Sequence, residues 1–354
     1  MRVTTFLREI SRNLTSGTAR VGVLTGLAAA LLTALILLEV LTIAGFVKQG
    51  VDYRAGGASI TTLALTGRID GQACEELSAV PDVIASGAMR EEVATVLDVL
   101  PASPIKHYTS TPSFARVLGA GDSGEGLYFS DAVVEAVGTG AIAVDGREIP
   151  VRGTYNYPSD GRRAGFGWAT LVPTYATDGV FDECWVQVWP ERGDTRQLLL
   201  STLTPPKDAK SSDEPKVSQL NTRFGTTFEG AREYAKRPTL YAPAVALIVG
   251  LIIAAVAVRA RRVEIAANLH AGTSRTVMTL QQVSEAGAWA LAAAVISWGA
   301  SVLVIALVIP TEMHTLALRT AAIVLASLVG SLIGSLIGTT NVRESKLWDY
   351  VKGR

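Results

Sequence analysis

The chain has 354 residues, of which 49 % are hydrophobic and only 18 % charged. Lysine plus arginine balance aspartate plus glutamate at 32 each, so net charge gives no argument for a nucleic-acid partner. That apolar excess is more than a soluble domain of this length requires, and it points to a membrane protein.

The first long apolar run, residues 21–47, is interrupted only by Glu39 and exceeds the roughly 20 residues that a hydrocarbon core demands. It is about twice as long as a signal-peptide core and no small-x-small exit follows, so it is expected to remain as the first transmembrane helix. Counting about 1.5 Å per residue from Val21 puts Glu39 about 27 Å up a core about 30 Å thick, near its outer boundary. Because intramembrane acids are costly, Glu39 is a candidate functional residue, the plain alternative being a carboxylate that snorkels. Tyr241, at a similar height in the second span, is its candidate partner in an outer-leaflet site for an amphipathic cargo or a haem. A tyrosine at that depth also fits an aromatic belt.

Residues 48–237 carry no further span and read as mixed α/β. SITTLALTGRI (59–69) alternates as a strand, GQACEELSAV (71–80) reads as a helix and DVIASGAM (82–89) as a second strand. AIAVDGREIPVRGTYNY (141–157) reads as a hairpin turning at Asp145-Gly146, a pair that tolerates positive backbone angles. ECWVQVWPE (183–191) is another strand, followed by a helix around Thr195–Leu203 and a flexible loop, TPPKDAKSSDEPK (204–216). FGTTFEGAREYAKR (224–237) is expected to be a helix running into the second span, and the first helix to continue past Val47, so that the domain stands on two helical stalks. Both cysteines, Cys74 and Cys184, fall in this stretch. In an oxidising compartment such a pair bridges, the alternative being two buried thiols. With the solitary His107 they supply no ligand spacing, so no metal is expected.

Three more spans follow, at residues 238–258, 285–310 and 320–338, the last two joined tightly enough to form a hairpin. Arg2, Arg8, Arg12 and Arg20 precede the first span, Arg259, Arg261, Arg262 and Arg275 follow the second, and Arg343, Lys346, Lys352 and Arg354 lie in the tail 339–354. The positive-inside rule makes all three places cytoplasmic, which puts both termini inside the cell membrane and residues 48–237 outside it. The expected fold is therefore a four-helix membrane protein with an extracytoplasmic α/β domain inserted between helices 1 and 2. Between the second and third spans lies an elbow, residues 259–284, containing RRVEIAANLHAGTSR (261–275). Arg259–His270 is expected to prolong the second span as a helix, Gly272 to end it in the left-handed conformation, and Thr273 or Ser274 to cap the next helix. The bland alternative is a positive-inside loop, which needs only the arginines. Gly330, Gly334 and Gly338 recur at a spacing of four and make a small-residue face for helix packing. Whether that face meets the same chain or a symmetry mate is left open. The sequence has no G-x-x-x-x-G-K-[ST], H-E-x-x-H, G-x-S-x-G or C-x-x-C, so no catalytic residue is assigned and no nucleotide site of the P-loop kind is expected in this chain.

An amphipathic cytoplasmic amino-terminal helix in residues 1–20 (FLREISRNL), one span, a large exported domain and three further spans with a basic elbow after the second resemble the permease subunit of the MacB/FtsX (type VII) ABC superfamily. Arg262-x-Glu264-Ile265, Ala271-Gly272, Arg275 and Glu285-Ala286 are similar to the family's R-x-E-I … A-x-G-x-x-R … E-A run, with Ala271-Gly272-Thr273 at the A-x-G step. The resemblance implies that Arg261, Arg262, Glu264, His270, Gly272 and Arg275 couple the permease to a separate cytoplasmic ATPase, which binds ATP and Mg. It also implies a permease homodimer that is not itself an enzyme and holds no cofactor. The MacB-like branch exports an amphipathic compound such as a peptide, a lipid or a haem-like molecule. The FtsX-like branch transports nothing and activates a cell-wall hydrolase, an extracytoplasmic protein partner. The length of 48–237 favours the first, and a peptide sensor of this kind has more spans.

Overall fold

The computed structural model describes residues 20–97, 100–121, 126–138, 142–144, 147–205 and 214–352. The expected amino-terminal helix, the Asp145-Gly146 turn and most of the 204–216 loop lie outside these residues. The chain divides into two compact units: one comprises the residues up to Lys48 together with those from Gly230 onward, and the other is Gln49–Glu229. The boundary falls within the first helix, α1 (Val21–Ala55), which continues past Val47 as its composition suggests.

The unit Gln49–Glu229 is built on an eight-stranded mixed sheet. Its elements in chain order are β1 (Ile60–Asp70), α2 (Gly71–Glu76), β2 (Val83–Leu97), β3 (Leu100–Ser110), α3 (Phe114–Val117), β4 (Leu127–Ser130), α4 (Asp131–Val137), β5 (Ile142–Val144), β6 (Arg147–Ile149), β7 (Val151–Tyr155), β8 (Ala169–Pro173), β9 (Val180–Val188), α5 (Thr195–Leu200) and β10 (Lys216–Gln219). The order across the sheet is β10-β1-β9-β2-β3-β8-β4-β7. Strand β9 is antiparallel to both β1 and β2 and separates them, so the strand-helix-strand unit at the start of the domain is split. Asp70 ends β1 and starts α2, its carboxylate accepting from the backbone N–H groups of Gln72 and Ala73, which would otherwise be orphaned. The expected hairpin is shorter than its sequence suggests: β5 and β6 pair with Val144 opposite Arg147, but β7 joins the main sheet beside β4. Pro150, which has no N–H to give a ladder, separates β6 from β7. Tyr108, Phe114, Phe166 and Trp185 form the aromatic centre of one core. A second core surrounds the disulfide between Cys74 on α2 and Cys184 on β9, both fully buried among Leu63, Ile69, Phe181 and Val186.

The other unit continues with α6 (Gly230–Lys236), α7 (Ala242–Ala260), α8 (Arg262–His270), α9 (Arg275–Val308), α10 (Met313–Thr340) and α11 (Leu347–Lys352). Four helical segments, Val21–Ala55, Pro238–Ala260, Arg275–Val308 and Pro310–Thr340, are long and apolar enough to cross a membrane, and the chain is a multi-pass membrane protein. The helix α6 does not run into the second span. Pro238 disfavours helical geometry at the residue before it, and Arg237 is extended (φ −58°, ψ 138°). The third membrane helix starts at Arg275, ahead of the apolar run, so residues 275–284 of the expected elbow are its first turns. The glycine face of α10 meets α7 of the same chain. A Cβ on Gly330 would run into the carbonyl oxygen of Leu247, one on Gly334 into that of Leu251, and one on Gly338 would lie 3.0 Å from the Val258 side chain. The approach is reciprocal, since a Cβ on Gly250 would meet the carbonyl of Ser327. Helices α1 and α9 are joined by hydroxyls: Ser297 Oγ donates to the Ala29 carbonyl at 3.1 Å, and Thr33 Oγ1 donates to Ser297 Oγ at 3.2 Å.

Candidate functional site

The elbow is a break, a short helix and a glycine turn. Helix α7 ends at Arg261, whose backbone leaves the helix (φ −102°, ψ 13°), so α8 is a separate helix and not the prolongation of the second span that the sequence suggests. The Arg261 side chain ties the segments on either side of the break together. It donates from Nη2 to Glu264 Oε1 at 2.8 Å, from Nε to Glu264 Oε2 at 3.0 Å, and from Nη1 to Glu285 on α9. Gln281 Nε2 also donates to Glu285, at 3.4 Å. Burial alone would lower the Arg261 pKa, but the two carboxylates outweigh it and raise it, so the guanidinium stays charged as the pin between α8 and α9. Replacing one member of such a buried pair costs about 3–5 kcal/mol, because the remaining charge is left in a poor solvent.

The apolar face of α8, Ile265, Ala266 and Leu269, packs on Val258, Met278 and Val342, with Leu347 and Tyr350 beside them. Arg262 lies over the Tyr350 ring at 5.3 Å, a cation–π contact that ties α8 to the carboxy-terminal helix α11. Glu264, Ala267, Asn268, His270, Ala271, Gly272, Ser274 and Arg275 remain outward. Gly272 has φ +94° with open space around its missing side chain, the left-handed conformation that ends α8. Ser274 caps α9, its Oγ accepting from the Val277 N–H at 3.4 Å. Of the elbow residues singled out from the sequence, Arg261 is thus turned inward and Glu264 is its partner, while His270, Gly272 and Arg275 are exposed. Glu285, which the sequence offers only as part of the Glu285-Ala286 pair and without a role, and Gln281, which carries no sequence signal, complete the contacts at the break.

At the far end of the membrane unit, Glu39 is buried and does not snorkel: its Oε1 accepts from Arg237 Nη2 at 3.2 Å. Arg237 also donates to the Tyr234 carbonyl at 2.7 Å and stacks 3.9 Å above that ring's centroid. Glu39 Oε2, Arg237 Nε and Thr239 Oγ1 are buried without hydrogen-bond partners among the described residues. Tyr241 is 68 % exposed whereas Glu39 is buried. Arg237, the last residue of the 224–237 stretch, is the charged partner of Glu39 and carries no sequence signal for that pairing.

Four spans, an inserted mixed sheet domain and an elbow pinned by buried charge define a class of multi-pass membrane protein. The sequence matches no protein-family model and no curated protein. Among solved structures the chain is similar to a domain of a protein assigned as a permease from Porphyromonas gingivalis, at 10 % identity and a TM-score of 0.32, with 47 % of this chain and 92 % of that one covered.

Proposed function

We propose that this chain is the membrane subunit of a type VII, MacB-like ABC machine. In this reading a separate cytoplasmic ATPase that binds ATP and Mg docks on the elbow, and its cycle moves the extracytoplasmic domain of a permease homodimer to expel an amphipathic compound. The observation that supports it best is the elbow's construction. A loop that served only to return the chain would need neither a charged pin to two helices nor an exposed left-handed glycine between capped helices. With Arg261 held by Glu264 and Glu285, a push on α8 is delivered to α9 through short, charge-assisted contacts.

The test compares Gly272→Val, Arg275→Glu and wild type for co-purification of an ATPase subunit from the native membrane and for ATP turnover of the purified complex in nanodiscs. Valine at a positive φ costs on the order of 1–2 kcal/mol, so the permease inserts and folds while the turn is deformed. Both variants are expected to lose partner binding or ATP-dependent function. Normal binding and turnover in both would reduce the elbow to a positive-inside loop.

A further inference from the structure

Between α9 and α10, at the elbow end of the membrane unit, runs an open groove of about 560 Å³. That volume lies in the roughly 300–1,000 Å³ range of ligand sites. Its walls are aliphatic, with Leu280 and Val283 on α9 and Leu332, Ile333 and Leu336 on α10. Arg275, Thr276 and Thr279 stand at its mouth. A small neighbouring cavity fixes which end this is, because there Arg275 and Thr279 meet Thr339 and Thr340, the last residues of α10. Among the described residues Arg275 makes no ion pair, and the hydroxyls of Thr276 and Thr279 make no hydrogen bond. None of the described residues lining the groove is a carboxylate, so the mouth carries one positive charge, to which the amino-terminal end of the α9 dipole adds. The positive-inside rule accounts for an arginine here, but it requires neither two hydroxyls one helical turn apart nor an aliphatic groove beside them.

Helix α9 has 34 residues, about 51 Å at 1.5 Å per residue, and outruns even the roughly 40–45 Å of a bilayer with its headgroups. Its polar first turns, ahead of the apolar run, therefore lie at headgroup level. We propose that the groove binds one anionic phospholipid, drawn from the leaflet on the elbow side. Its phosphate oxygens accept from the Arg275 guanidinium and from the Thr276 and Thr279 hydroxyls, and the start of one acyl chain lies along the aliphatic walls. From Arg275 to Val283 the groove runs about 12 Å along α9, so it takes the phosphate, the glycerol and the first carbons of a chain, the rest lying in the bilayer. A lipid with one net negative charge compensates the mouth. A zwitterionic lipid brings the same phosphate with an ammonium for which the lining has no carboxylate, and an uncharged lipid leaves Arg275 unpaired. The site goes beyond the ABC reading and uses only the membrane unit's own geometry. Because Arg275 figures in both, binding is measured on the chain purified without an ATPase, so that either can fail alone.

The full chain, reconstituted in nanodiscs of equal phosphatidylglycerol and phosphatidylethanolamine and released in mild detergent, is analysed by native mass spectrometry. Wild type is expected to retain one phosphatidylglycerol, preferred over phosphatidylethanolamine on the order of tenfold, the worth of one charged hydrogen bond. Arg275→Gln should abolish the preference. Val283→Trp and Ile333→Trp, which fill the groove, should abolish retention, whereas Leu325→Trp, exposed on α10 and outside the groove, should keep it. No retained phosphatidylglycerol in wild type, equal retention of the two lipids, or a preference that survives Arg275→Gln would overturn the proposal. A photo-reactive residue at Leu280, exposed in the groove wall, gives a reading even if a filling variant fails to fold. Cross-links to lipid support the site, and cross-links to a second copy of this chain or to residues 1–19 refute it.

Discussion

Glu39 and Arg237 illustrate how one side chain's meaning depends on another far away. An acid near the end of an apolar helix can reach water by itself, and nothing local says otherwise. In the fold both members are buried, and they come together across 198 positions of sequence. Glu39→Gln removes the charge and leaves Arg237 uncompensated, which is expected to cost about 3–5 kcal/mol, while Glu39→Leu combined with Arg237→Leu should recover much of that loss. Melting in detergent for the two singles and the double decides it; additive losses would mean that the two do not interact. His107 makes a second prediction in the sheet domain. Its Nδ1 lies 2.8 Å from Thr95 Oγ1 and its Nε2 is buried without a partner among the described residues. Burial pushes its pKa below the ordinary 6.5, although the charge of Glu92 pulls the other way. As pH falls the unfolded chain takes up the proton first, so stability is full above about pH 6.5, declines below it and levels off once the folded value is passed. The melting temperature of wild type should therefore drop more between about pH 7.5 and about pH 5 than that of His107→Gln. Parallel drops would refute a role for this ring.

Helices and strands show which sequence signals were local enough to read. The spans, the strand β9 and the glycine stop at Gly272 follow from contiguous residues, by hydrophobic length, alternation and backbone freedom. The misread stretches are those where one residue interrupts a pattern: Pro238 stops α6, Pro150 detaches β7, and Arg261 breaks the helix between α7 and α8. The last has no propensity signal, because arginine is a good helix former. The glycine face was legible as a packing surface, but its partner was not. Because Gly330 and Gly334 lie against backbone carbonyls, Gly330→Leu and Gly334→Leu must push α7 and α10 apart, and the loss expected exceeds the usual 1–3 kcal/mol for overpacking. Gly338 faces a side chain at 3.0 Å, so Gly338→Ala should be much milder. Expression level and monodispersity in detergent compare the three; a Gly338→Ala as damaging as Gly330→Leu would contradict the α7–α10 seam.

For the molecule as a whole, the Cys74–Cys184 bridge is the largest single constraint on the inserted domain. It spans 110 positions. Closing a loop of about 100 residues restrains the unfolded chain by up to about 4.7 kcal/mol on the loop-entropy account. Cys74→Ala with Cys184→Ala should lower the domain's melting temperature clearly, and full alkylation of both thiols in unreduced protein would show that no bridge forms. By itself the sequence determined the four spans, the inserted mixed domain and the turn at Gly272. Hydrocarbon length, strand alternation and the freedom of one glycine are properties of neighbouring residues and accumulate along the chain. Only the tertiary structure decided that β9 separates β1 from β2, that the two cysteines bond, that the glycine face meets α7 of its own chain, and that Glu39 and Arg261 are held by Arg237 and Glu285. Each of these joins groups remote in sequence, and its energy comes from burial and charge that exist only once the whole chain has packed.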